Sequence, residues 1–230
     1  MSHIHLPDGI LPLWLWLSGY VVIIVYFFLL FLRSKKYILN KKLPLIGILA
    51  ALMLVSMSIE IIPPVYHLNL AVLSGIVLGP VFSVSAILVV NIILAFVGHG
   101  GFTVIGLNTV IVSIEAILGY WGFKLLYSKI KKIFLCVFLA TFTALFISSW
   151  SAIGIVYSGT HNFNAIFESH NHTKEHHELT MTELPESFDI KKFILFILAF
   201  GSAGWMIESI ITAFIVNYIH KVRPDILENN

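Results

Sequence analysis

The start of the chain carries histidines at a spacing suited to binding a metal ion. His3 and His5 lie within a few residues of the N-terminal amine, and Ser2 is small enough to permit removal of Met1. Without Met1, the Ser2 amine, the His3 amide nitrogen and the His3 imidazole would form a flat set of three donors. Flat nitrogen donor sets suit Ni(II), Cu(II) and planar Co(II). The tail, residues 1–9, therefore predicts a metal site that takes a fourth donor from elsewhere.

A second loop provides the expected fourth donor. His67 follows a pair of prolines and comes directly before an apolar segment. We expect it to complete the plane, with His5 as an alternative or axial ligand. If Met1 is retained, the amine, two amides and the His3 imidazole would already fill four positions. His99, among glycines, either orients a ligand as a supporting residue or belongs to an ordinary tight turn.

A longer segment, residues 158–191, is also rich in histidine. Tracts of this composition bind divalent metals weakly and without fixed geometry. The segment would either concentrate metal near the site or form a solvated loop. Its histidines are His161, His170, His172, His176 and His177.

The composition is that of a membrane protein. The 230 residues are 58% hydrophobic and only 11% charged, against about 25% charged residues in soluble domains. We predict one all-α integral membrane domain over residues 1–230, in the cell (cytoplasmic) membrane. Apolar runs near the length of about 20 residues that a span needs predict five helices. They cover residues 10–32, 43–62, 102–126, 133–156 and 193–219.

Charge placement predicts a further, shorter segment and an orientation. Basic residues cluster at 33–42, 124–132 and 221–223, and such clusters favour the cytoplasmic side. The stretch 68–97 must then enter the membrane and return, turning at Gly79-Pro80, with a short limb over 68–78. The prediction is about seven segments, with the N-terminus outside and the C-terminus in the cytoplasm. Nine of the ten histidines would lie on the outer face, His220 being the exception.

Several residues at membrane depth need an explanation. Glu60 lies near the outer end of its predicted span, whereas Glu115 and Glu208 lie deeper. Buried acids are usually functional or paired, so the deeper two would pair with polar groups such as Asn108 or face a partner subunit. Glycines allow close approach between helices, and 201–204 is also a candidate contact surface for another membrane protein. The glycines concerned are Gly106, Gly119, Gly122, Gly201 and Gly204.

Taken together, these motifs resemble the CbiM/NikM family, the substrate-binding (S) components of energy-coupling-factor (ECF) transporters for cobalt and nickel. That family opens with a Met-His-Ile-x-(Asp/Glu)-Gly signature, and the spacing of His5 to Gly9 matches its histidine-to-glycine part. Its loop histidine stands twelve residues before the glycine of a Leu-Gly-Pro, as His67 does before Gly79. Further matches are His99-Gly100-Gly101, Gly106 and Asn108, and then Glu208, Thr212 and Ala213.

The resemblance implies a site and partners. In the family, the N-terminal amine, the next amide, that residue's imidazole and the loop histidine hold the metal in a plane. The tail here is longer, so spacing aligns His5 with the family histidine, while proximity to the terminus favours Ser2 and His3. The implied partners are a transmembrane coupling subunit (EcfT/CbiQ-like), cytoplasmic ATPase subunits (CbiO-like) and a small accessory membrane protein (CbiN-like).

The expected function is therefore capture of Co(II) or Ni(II) as a transported substrate, without catalysis and without an organic cofactor. The sequence lacks the Gly-x-x-x-x-Gly-Lys-(Ser/Thr) pattern of an ATP-binding loop, so power must come from partners. Two alternatives remain open at this point. A self-sufficient ion-driven permease would need a continuous polar path, and an intramembrane metalloenzyme would need ligands at membrane depth with an open site.

Overall fold

The computed structural model describes residues 12–33, 36–58, 60–62, 66–98, 101–159 and 190–228. In these ranges the chain forms a helical bundle with one short antiparallel hairpin. The strands are β1 (Glu60–Ile62) and β2 (Tyr66–His67). The helices are α1 (Leu13–Arg33), α2 (Lys36–Met57), α3 (Ala71–Leu78), α4 (Pro80–Phe96), α5 (Ile105–Ile130), α6 (Ile133–Gly159), α7 (Ile190–Val222) and α8 (Asp225–Glu228).

The described helices confirm an all-α membrane protein. Four of them contain stretches long and apolar enough to cross a bilayer, in α1, α5, α6 and α7, while α2 and α4 carry shorter apolar stretches. Helices suit this environment because all their backbone groups bond within one segment. Large apolar side chains such as Phe31, Phe96 and Tyr218 are exposed on the bundle surface. With the short α3 this makes seven apolar helices among the described residues, and their sidedness stays a prediction.

The break at Gly79-Pro80 is confirmed. α3 ends at Leu78, Gly79 takes φ 83°, and Pro80 is the first residue of α4. Glycine adopts this conformation without steric cost, and proline suits a first helical position. All eight residues of α3 are buried, and at 1.5 Å per residue it is about 12 Å long. It is therefore a short buried helix inside the bundle, while its depth in the membrane stays a prediction.

The predicted span 43–62 was wrong at its end. α2 stops at Met57, and Glu60 lies in β1 beyond the helix, not within a span. In the hairpin, Glu60 pairs with His67 across an irregular register. The physical reason is local: Ile61 and Ile62 are β-branched and favour strands, and the prolines that follow cannot continue a helix.

Helix α5 is the centre of the bundle. It packs against α1, α3, α4 and α6, while α7 packs against α6 and α3. A Cβ built on Gly19 or on Gly106 would lie within 2.6 Å of backbone atoms of the opposite helix. A Cβ on Gly119 would lie 2.4 Å from Val72. Close helix contact at Gly106 and Gly119 is thus confirmed, and Gly19 is its unforeseen partner in α1.

Gly75 brings α3 against the backbone of α5. A Cβ at this position would lie 2.2 Å from the carbonyl oxygen of Ala116 and 2.8 Å from its carbonyl carbon. Neither atom can move without moving the α5 backbone. The depth at which α3 sits in the bundle therefore depends on the absence of a side chain at Gly75.

We expect Gly75→Ala to lower the free energy of unfolding by about 1–3 kcal/mol, the usual cost of overpacking a core. Thermal unfolding of the detergent-solubilised protein measures the effect. Gly47→Ala in α2 is the matched control, because a Cβ there meets nothing within 4 Å, and it should leave stability unchanged or slightly raised. Equal melting temperatures for the two variants would contradict the proposed close contact.

Candidate metal centre

His67 ends the hairpin and begins the connection to α3. It lies on β2, half-buried, and its Nδ1 atom is shielded from solvent. On one side its backbone belongs to a strand pair, and on the other side the chain enters the bundle. The residue thus lies between the hairpin and the chain segment that leads into the bundle.

Hydrophobic packing holds the residue that follows. Leu68 is buried in a small cluster with Leu145 of α6 and Trp205 of α7. The indole of Trp205 also makes edge contacts with Phe142 and Phe146, with ring centroids 6.2 and 5.8 Å away. β2 itself contacts α7. The segment after the histidine is therefore attached to two helices.

Two carboxylates hold the next two residues. The Leu70 amide donates to Glu208 Oε1 at 2.9 Å, and the Asn69 amide lies 3.5 Å from Glu208 Oε2. The Asn69 side-chain amide donates to Glu115 Oε1 at 3.4 Å. All three of Asn69, Glu115 and Glu208 have no solvent exposure. Because a buried acid without donors is costly, these hydrogen bonds explain how both acids are accommodated.

The backbone at this point is strained. Leu70 has φ 58° and ψ 23°, a left-handed conformation, and it caps α3 without a side-chain hydrogen bond of its own. That conformation costs a non-glycine residue about 1–2 kcal/mol. Glu208 receives the amide of this cap residue, as the glutamate of a capping box does. Here the carboxylate comes from a position 138 residues later in the chain.

These contacts show where the two deeper acids lie. Glu115 and Glu208 face the interior of this chain and are close enough to interact electrostatically, with Ser148 beside Glu115. They are not surface groups available to a partner subunit. Pairing with polar groups was anticipated, and the described contacts are with Asn69, Leu70 and Ser148. A buried acid in a span signals that some donor must exist, yet nothing in the sequence indicates which one.

Asn108 lies near the start of α5, buried, seven residues before Glu115 and hence on the same helix face. The other expected site residues, Ser2, His3, His5 and His99, lie outside the described residues, as does the histidine-rich segment. Within the described part of the chain there is no group of three or more potential metal-binding side chains. The planar ligand set therefore stays a prediction, of which His67 is the described member.

Comparison with known proteins places this sequence in a family. The sequence matches the family described as CbiM, cobalt uptake substrate-specific transmembrane region, over residues 5–226. Its fold is similar to a solved structure described as a transition metal transporter, with a TM-score of 0.73, 18% identity, and coverage of 95% of this chain and 93% of that chain. A second, described as a truncated transition metal transporter, has a TM-score of 0.70, 18% identity, and coverage of 94% and 98%. No curated protein matches.

The two structures share the fold of this chain at low identity, whereas the family match is to the sequence itself and spans nearly its whole length. The family resemblance drawn from the motifs is thereby confirmed. The chain belongs to the CbiM family of cobalt-uptake substrate-specific transmembrane regions.

Proposed function

We propose that this protein is the substrate-capture subunit of an ATP-driven ECF-type importer for Co(II) or Ni(II). Family membership and the two transporter structures support a role in metal uptake. The observation that carries the proposal is the placement of His67. A solvent-shielded imidazole nitrogen stands at the end of a hairpin whose continuation is held inside the bundle by buried hydrogen bonds.

The metal is bound by nitrogen atoms from two parts of the chain. The Ser2 amine, the His3 amide and imidazole, and His67 form the plane, and His5 is the alternative or axial donor. A tail reaching from Pro12 back to Ser2 can extend at most about 33 Å, and the proposal requires His67 to lie within that reach. Asn108 and His99 support the site from outside the coordination plane.

Energy comes from other subunits. Metal captured at the outer face would be released inward when ATPase subunits, acting through a transmembrane coupling subunit, reorient this protein. A small accessory membrane protein completes the assembly. The cell membrane is the expected location.

The first test removes the loop ligand. His67→Ala should weaken Ni(II) binding by about tenfold or more, since a metal with strict planar geometry loses one of its four donors. Isothermal titration calorimetry on purified protein with a native N-terminus measures it. His220→Ala, a histidine at the far end of α7, is the matched control and should bind as the wild type does.

Wild-type affinity in His67→Ala would remove this residue from the ligand set. It would leave the arrangement in which Met1 is retained and the tail alone supplies all four donors. His3→Ala, measured in the same way, is expected to lose binding in either arrangement.

The second test addresses the terminal amine. Two residues added before Met1 should weaken Ni(II) binding by about tenfold or more, because an internal amide is a far poorer donor than a free amine near neutral pH. The same two residues added after Asn230 serve as the control. Undiminished affinity in the N-terminally extended protein would show that the amine is not a ligand.

A further inference from the structure

The proposed ligand His67 is followed by a segment, residues 68–70, that is held by contacts with helices α5–α7. Leu70 holds a left-handed backbone, and Asn69 is fully buried beside it. Both are bound by side chains from helices distant in sequence. We propose that Glu208, supported by Glu115 through Asn69, is a positioning residue that sets the location of the His67 imidazole for metal binding. The inference rests on the proposed function of His67.

Two residues separate His67 from the primary hydrogen bond. Leu68 packs against Trp205 of α7. The position of α7 therefore also constrains the backbone next to His67. α7 therefore holds this short segment twice, through the indole and through the carboxylate of Glu208. Such a short and doubly attached connection leaves little freedom for the histidine backbone.

Loss of the carboxylate would release the segment. The left-handed conformation of Leu70 is unfavourable by itself, and the Leu70 side chain makes no capping hydrogen bond to α3. Leu70 is only 3% exposed, so its amide would be left buried without an acceptor, which is costly. The backbone would then relax toward a right-handed conformation and carry His67 with it. Binding sites need their ligands held within about 0.5 Å, so a small shift would suffice to weaken the metal bond.

Glu115 has the supporting role. It accepts from the Asn69 side chain, not from the backbone, so it orients the segment less directly than Glu208 does. The two acids come from α5 and α7, which do not adjoin in sequence. The position of the segment after His67 therefore depends on how α5 and α7 are placed relative to each other.

The test compares three variants in α7 by titration calorimetry with NiCl2. Glu208→Ala should raise the Kd by about 10- to 100-fold, as loss of outer partners of metal ligands does. Glu208→Gln should stay within about threefold of wild type, because its carbonyl oxygen can still accept from Leu70. Ser209→Ala, the adjacent buried residue that bonds only within its own helix in the contacts described, is the matched control and should bind as wild type.

Stoichiometry separates positioning from misfolding. A purely structural role would lower the number of sites per protein while the remaining sites kept the wild-type Kd. Positioning predicts full stoichiometry with a raised Kd, and rescue by glutamine. A wild-type Kd in Glu208→Ala, or a loss confined to stoichiometry, would overturn the proposal.

If Glu208→Ala cannot be purified in folded form, Asn69→Ala takes its place. It removes the bond to Glu115 and should raise the Kd by about tenfold, and an unchanged Kd would overturn the inference. Failure of the proposed function looks different, because then the wild-type protein would not bind Ni(II), or His67→Ala would bind as well as wild type. The positioning role fails alone when His67→Ala loses binding and Glu208→Ala, or Asn69→Ala in its place, keeps the wild-type Kd.

Discussion

The organisation of the bundle depends on satisfying the buried backbone amides at the start of α3. α3 is entirely buried, and Leu70, the residue directly before it, has a left-handed conformation. Glu208 supplies the acceptor that this helix lacks. Because a membrane interior penalises any unsatisfied amide, the carboxylate, the strained cap and the short buried helix stabilise one another. Removing any one of these three features would make the other two less stable.

The hydrogen bonds at the start of α3 connect the interior of the bundle to the hairpin that carries His67. The segment that Glu208 and Asn69 hold is continuous with β2 and therefore with His67. A flexible loop histidine would pay an ordering cost each time it bound an ion, whereas a histidine held in place has already been ordered by folding. In the proposed arrangement, the buried acids Glu115 and Glu208 hold the segment that leads to His67, and they need not form a path for ions.

Much of the fold could be predicted from sequence because lipid imposes simple rules on length and polarity. The apolar runs, the break at Gly79-Pro80 and the close contacts at Gly106 and Gly119 follow from local chemistry. The end of α2 could not be placed correctly, since hydropathy does not distinguish Ile61 and Ile62 in a span from the same residues in a hairpin. The contact between Leu70 and Glu208 could not be predicted for another reason. It joins residues far apart in sequence, and its donor is a backbone amide, which almost every residue has.

The candidate metal site likewise has a part that the structure describes and a part that stays a prediction. His67 was identified from its type and spacing, and the structure describes where it lies. The nitrogen donors of the tail remain predictions that depend on their chemistry alone. The magnetic state of Ni(II) bound to protein with a native N-terminus tests the planar site most directly. A four-nitrogen planar site predicts a diamagnetic ion with unbroadened NMR signals near the metal, and a paramagnetic six-coordinate ion would contradict it.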